Sequence, residues 1–230
     1  MAQETLLEIE NLGKSFTRGT REFWGLKDAH LTLRAGEFVT LLGKSGAGKS
    51  TLLTMLVGLQ TPTTGCVRYL DEDLFALSDQ QRSQLRNRTM GYVPQGAGMV
   101  ASLSIIDNVR LPWYLASRGA EPEGRAKALM EQFGLAGLYD EKPSALSGGE
   151  LRRAAVARAL MNEPRVIIAD EPTASLDQAT AKTVMEAFRA CADQGIAVLV
   201  VTHDTQFLDL SDRIFHMEAG HLTDAPSKGE

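Results

Sequence analysis

Phe38-Val39-Thr40-Leu41-Leu42-Gly43-Lys44-Ser45-Gly46-Ala47-Gly48-Lys49-Ser50-Thr51 is the stretch whose reading decides the fold. Its first five residues form an apolar run that reads as a buried strand, and Leu52 to Leu56 behind it reads as a helix. Between them, Gly43–Thr51 has the spacing of a P-loop, in the strand–loop–helix setting which that pattern needs. Gly43, Gly46 and Gly48 let the backbone curl until successive N–H groups point into one concavity. A helix opening near Lys49 adds its unpaired N–H groups and the positive end of its dipole. Lys49 then sets an ammonium against the β- and γ-phosphates of a nucleoside triphosphate, and Ser50 offers its hydroxyl to the magnesium ion that bridges them. An ordinary Gly/Ser turn is the alternative, and the filling of every fixed position of the pattern speaks against it.

A second cluster lies downstream. Val166-Ile167-Ile168-Ala169 is again a buried-strand run, and it ends in Asp170-Glu171. An acid at the tip of a strand beside a P-loop completes the magnesium shell, which assigns Asp170. Glu171 points differently and can accept a proton from water attacking the γ-phosphorus. The third feature is Leu146-Ser147-Gly148-Gly149-Glu150, at the start of a helical run. A serine N-cap with a first-turn glutamate is common, but the glycine pair also bares backbone N–H groups to an anion. A second anion cradle so far from the first is most simply explained if Ser147, Gly148 and Gly149 serve a nucleotide held by another copy of the chain. Phe16, just after the first strand, could stack on a purine, with Phe23 and Trp24 competing for that role.

The rest of the chain frames these clusters. Residues 6–10 and 26–34 alternate as two strands joined across a polar stretch with Gly19, which predicts a small antiparallel sheet ahead of the P-loop. A turn cluster at 61–65, a strand at 67–70, a helix at 77–87 and a strand from 90 that stops at Pro94, leaving Gln95 in a loop, follow. From 96 to 162 the β-branched runs thin out, and helices are expected at 103–118, 123–133 and 149–162. Strand character returns at 166–169, then a helix at 179–191, a strand at 196–201 and a hairpin over 213–217 and 221–223; 225–230 reads as disordered. Alternating strands and helices with near-continuous apolar strands imply a parallel sheet covered on both faces.

Composition narrows the options. The 230 residues are 43% hydrophobic, enough for a proper core, and no run approaches ~18 consecutive apolar residues, so no membrane span is expected. The N-terminus lacks the charged start and apolar centre of a signal peptide. Cys66 and Cys191 are expected as reduced thiols of a cytosolic protein. A net charge of −5 argues against a general nucleic-acid binder.

Taken together the motifs resemble, across nearly the whole chain, the nucleotide-binding ATPase subunit of ABC transporters. Gly43–Thr51 matches that family's Walker A, Gln95 its Q-loop, Leu146–Glu150 its signature motif and Ile167–Glu171 its Walker B. Ala174-Ser175-Leu176-Asp177 is similar to the D-loop and His203 to the switch histidine. Two positions depart from the pattern: Glu150 stands where the signature usually has Gln, and Phe16 where the adenine-stacking residue is usually Tyr.

The resemblance implies an α/β fold of P-loop NTPase, ABC type: a mostly parallel core sheet, an N-terminal antiparallel β-subdomain and an inserted helical subdomain. It is expected as a single ABC ATPase domain over 1–230, with 1–95 and 163–230 forming the core and β-subdomain, and 96–162 the helical part. It implies ATP and Mg2+ as ligands, with Glu171, His203, Lys49 and Gln95 acting on the reaction, Ser50, Gln95 and Asp170 on the metal, and Asp177 linking two sites in a head-to-tail dimer. A separate integral membrane permease and a peripheral place on the cytoplasmic face of the inner membrane follow from the same resemblance, and nucleic acid is not an expected partner. Leu85-Arg86-Asn87-Arg88, Gly91–Gln95, Asp107-Asn108-Val109 and Val201–Asp204 are similar to the bacterial branch serving lipoprotein release, macrolide export and peptide-antibiotic resistance. The competing class is a soluble ABC ATPase acting on nucleic acid or ribosomes. The single P-loop and the gap of about fifty residues between Gln95 and Ser147 disfavour it, since that gap leaves room for a helical subdomain and little more.

Overall fold

The computed structural model describes residues 3–116, 119, 121 and 124–224. The expectation for 225–230, and the ends of the expected helices at 117, 118 and 123, lie outside the described residues. β1 (Thr5–Arg18) and β2 (Arg21–Arg34) form a long antiparallel hairpin turned at Gly19, where φ is 65°. β3 (Phe38–Gly43) runs into α1 (Lys49–Leu56). β4 (Thr64–Tyr69) and the short β5 (Glu72–Asp73) complete a four-stranded antiparallel sheet of order β2-β1-β4-β5. α2 (Asp79–Thr89), capped by a Ser78/Gln81 capping box, leads to β6 (Met90–Val93). Three helices follow in succession, α3 (Ile105–Leu115), α4 (Arg125–Gln132) and α5 (Gly148–Leu160). The chain then alternates through β7 (Val166–Asp170), α6 (Gln178–Asp193) and β8 (Ala197–Thr202), and ends in the hairpin β9 (Arg213–Glu218) and β10 (His221–Asp224).

The second sheet has the order β10-β9-β3-β8-β7-β6; all its pairs are parallel except β10 with β9. Both faces of its central strands β3, β8 and β7 are covered, which is why these read as near-continuous apolar runs, whereas β9 alternates and β10 is largely exposed. Alternate residues still sort to opposite sides. Val39, Leu41, Ile168, Leu199 and Val201 join α1 and the antiparallel sheet in one core. Phe38, Ile167, Ala169, Val198 and Val200 join α3–α6 in the other. The P-loop helix is thus sandwiched between the two sheets, and α3–α5 share their core with the opposite face. Cys66 and Cys191 are free thiols.

The first two strands are longer than the alternation predicted. Their distal halves, beyond Leu12 and before Leu26, are largely exposed, so no period-2 burial marks them. Asn11 at φ 50° and repeated register shifts between Ile9 and Ser15 also break the alternation midway along β1.

The parallel order aligns four carboxyl ends along one edge. Leu42 pairs with Thr202, Asp170 with Val201 and Val93 with Ala169. The loops leaving β3, β8, β7 and β6, each carrying one of the sequence motifs, therefore converge at that edge, where open α/β sheets bind ligands.

Candidate active site

α1 opens at Lys49 with Gly48 before it, at φ 109°; no side chain caps this end and no acid sits in the first turn. The orphan N–H groups of that turn are consequently left for a ligand. Gly48 has no tolerable substitute, because a Cβ there would lie 2.2 Å from the Gly25 carbonyl oxygen of β2. Lys49 is buried, and its Nζ donates to the carbonyls of Gly43 (2.6 Å) and Lys44 (3.0 Å). An ammonium has three donors, so these two bonds orient it while a third hydrogen can point outward.

At the end of β7, Asp170 is buried and its Oδ2 accepts from Ser50 Oγ at 2.8 Å. Burial pushes its carboxyl up from the ordinary aspartate value, against the Ser50 hydroxyl and the Lys49 charge, which pull it down. Glu171 leaves the strand at φ 50° and donates its N–H to the Val201 carbonyl (2.8 Å). This left-handed turn aims its side chain away from that of Asp170, toward Thr202 Oγ1 (3.4 Å) and His203 Nδ1 (2.9 Å). The hydrogen bond to Glu171 raises the His203 pKa above the usual histidine value.

These groups line one cleft of about 640 Å³, together with Phe16, Ser45, Gly46, Thr51 and Gln95. The cleft also holds Phe23, whose ring stacks on Phe16 with centroids 5.7 Å apart, whereas Trp24 is not among its walls. Lys44 and Ala47 face the opposite side of the loop, toward His216–Ala219. Ser50 and Asp170, with the Gln95 amide in the same cleft, supply the hard oxygen donors that suit magnesium. Among the described residues no group of three or more His, Cys, Asp or Glu could hold a metal ion.

Ser147, Gly148, Gly149 and Asp177 are not in this cleft. Ser147 and Gly148 are exposed at the start of α5, and Gly149 packs beside Ser175 and Leu176. Asp177 caps α6 by accepting from Thr180 N (3.0 Å) and Oγ1 (2.6 Å). The Ser147 helix end thus lies exposed and apart from the P-loop cleft. Sequence reasoning missed Gly25 and Ala174 in the cleft, and Thr202 beside Glu171. Gly25 carried no signal, because it falls in the polar stretch between the strands expected at 6–10 and 26–34; Ala174 and Thr202 carried none beyond lying within quoted motifs.

A strand-to-helix phosphate cradle, an acid pair one strand removed and a histidine on the strand between them define a P-loop nucleotide triphosphatase. The family model described as "ABC transporter" matches residues 26–174. The "Lipoprotein-releasing system ATP-binding protein LolD" of Pseudomonas syringae pv. tomato is 42% identical, over 98% of this chain and 100% of its own length. The "Macrolide export ATP-binding/permease protein MacB" of Brucella melitensis is 39% identical over 99% of this chain but only 35% of its own. Among solved structures, the dimeric "MJ0796, a Bacterial ABC Transporter Cassette" superposes with a TM-score of 0.91 at 32% identity, over 95% of this chain and 98% of that one. A dimeric post-hydrolysis state of the same cassette "bound to ADP and Pi" gives 0.90 with the same identity and coverage. The chain belongs to the ABC transporter family. It is the ATP-binding and ATP-hydrolysing subunit of a transporter.

Proposed function

We propose that two copies of this chain stack head to tail and clamp each ATP between Lys49 of one and Ser147-Gly148-Gly149 of the other, and that this closure drives a separate membrane permease. The observation that carries the reading is the distance of the Ser147 helix end from the chain's own nucleotide cleft, an anion cradle exposed with no ligand of its own chain to serve. The dimeric MJ0796 cassette supports it by likeness.

Within each site the P-loop N–H groups and Lys49 bind the phosphates, and the Phe16–Phe23 stack offers a ring face to the base. Ser50, Asp170 and Gln95 would hold magnesium, which when bound neutralises phosphate charge. Glu171 takes the proton of the attacking water, His203 steadies the γ-phosphate, and Asp177 joins the two sites. The permease meets the helical side of the chain. There, Leu59, Tyr92, Pro112 and Leu115 line a groove of about 360 Å³, with Leu59 and Leu115 strongly exposed. No helix of the described residues is long and apolar enough to cross a membrane, so attachment to the cytoplasmic face of the inner membrane would run through that partner. The names of the relatives favour lipoprotein release, with macrolide-type export next.

Ser147→Arg tests the composite site. Monomeric nucleotide binding should persist while ATP-dependent dimerisation disappears in light scattering; undiminished dimerisation overturns the reading. Co-purification of a polytopic protein from solubilised membranes tests the permease.

A further inference from the structure

Arg152 lies on α5, past the Ser-Gly-Gly that opens that helix, and is 9% exposed. Its Nη1 donates to the Pro94 carbonyl at 2.7 Å, and its Nη2 to the carbonyl of Gln95 itself. The charge also lies within electrostatic reach of Asp170 and Glu171. Further along the same helix, Arg158 donates to the carbonyls of Gly98 and Ala97, both at 2.8 Å. A guanidinium is costly to bury unless its donors are met, and here both terminal nitrogens of Arg152 find carbonyls in the loop leaving β6. That loop is irregular backbone; its carbonyls would otherwise depend on water.

We infer that Arg152 is a positioning residue for ATP hydrolysis. It fastens the Gln95 loop to the helix that carries Ser147, so that the amide facing the chain's own nucleotide and the anion cradle facing the partner's nucleotide travel as one body. The inference rests on the composite-site reading. Filling of one site then biases the geometry offered to the other; Arg158 holds the loop further on, at Ala97 and Gly98, but the hold on Gln95 itself is made by Arg152, in the second turn of α5.

The test compares Arg152→Met, which keeps the apolar stem and removes every donor, with Arg152→Lys, which keeps a charge and a shorter donor. Arg125→Met is the control: Arg125 donates to the carbonyls of Met161 (2.8 Å) and Leu160 (2.9 Å), at the far end of α5. Dimerisation is titrated with ATP by light scattering in a Glu171→Gln background, and a fluorescent ATP analogue reports binding to the monomer. Arg152→Met should bind the analogue within about twofold of the parent yet need roughly tenfold more ATP to dimerise. With Glu171 restored, its ATPase Hill coefficient should fall toward that of independent sites, and Arg152→Lys should recover part of both. Arg125→Met should lower thermal stability without moving the dimerisation midpoint.

An unchanged midpoint and Hill coefficient in Arg152→Met, or an equal shift in Arg125→Met, overturns the inference. Should Arg152→Met not fold, the lysine variant decides by the same two readouts. Ser147→Arg separates the two ideas. If that variant still dimerises, the composite site is what failed; if it does not while Arg152→Met behaves as the parent, only the role of Arg152 falls.

Discussion

His203 Nδ1 lies 2.9 Å from Glu171 Oε1, across the ends of two neighbouring parallel strands. The carboxylate proposed as the base is therefore already paired with an imidazole that is itself 76% exposed.

That pairing sets a pH dependence. The hydrogen bond favours the imidazolium, so His203 titrates above the ordinary histidine value in the folded chain. A raised folded pKa contributes stability that is complete below the unfolded value of ~6.5 and is lost as pH rises through the folded one. With His203 so exposed, solvent screening keeps the effect on global stability small. An NMR titration of the His203 ring without nucleotide should give a midpoint above that of a free histidine, and Glu171→Gln should lower it. A midpoint indifferent to that substitution would separate the two residues.

Glu171→Gln should slow ATP turnover by about 10²–10⁴-fold, the range for loss of a positioned general base. ATP binding should survive, because Lys49 and the P-loop are untouched, and a closed dimer should accumulate. Single-turnover kinetics and light scattering check both. Turnover at the parental rate would remove Glu171 from the role given it.

Glu150 closes a capping box on Ser147: its Oε2 accepts from Ser147 N at 2.7 Å and from Ser147 Oγ at 2.6 Å, and Glu150 N donates back to Ser147 Oγ at 3.3 Å. The Ser147 hydroxyl and backbone N–H hold this carboxyl below the usual glutamate value, so it stays charged at neutral pH. The serine hydroxyl hydrogen is committed to this carboxylate, and in the proposed composite site a γ-phosphate would have to displace that bond and sit beside the charge. Glu150→Gln keeps the cap and removes the charge, and should lower the ATP concentration for dimerisation a few-fold, roughly the worth of one exposed charge contact. A higher concentration in the variant would reverse the assigned sign.

Phe188 is fully buried in α6 beneath the second sheet. Phe188→Ala should cost about 3–5 kcal/mol of stability, from lost burial and the cavity left behind. Urea unfolding measures it. A cost below about 1 kcal/mol would mean that the core refills the space, as the more tolerant sites do.

Much of this was legible in the chain itself. The P-loop could be read because strand, glycine loop and helix are contiguous and their geometry is set by near neighbours. Residues 166–171 could be read because a strand buried on both faces leaves an unbroken apolar run ending in acids. Helix α5 was found by the Ser-Gly-Gly start, and its end fell within two residues of the expected 162. The long distal halves of β1 and β2 were not legible, since exposed strands carry no alternation.

Sequence alone determined the glycine loop between strand and helix, the acid-tipped strand and the order in which these motifs come, because they are short and depend on residue type and local turn geometry. Tertiary structure alone decided that Glu171 meets His203, that Phe16 stacks on Phe23, that the Gly25 carbonyl leaves no room for a Cβ at Gly48 and that Arg152 is buried against Gln95. The physical reason is that each of these contacts depends on strand register or helix docking between segments that no local spacing relates.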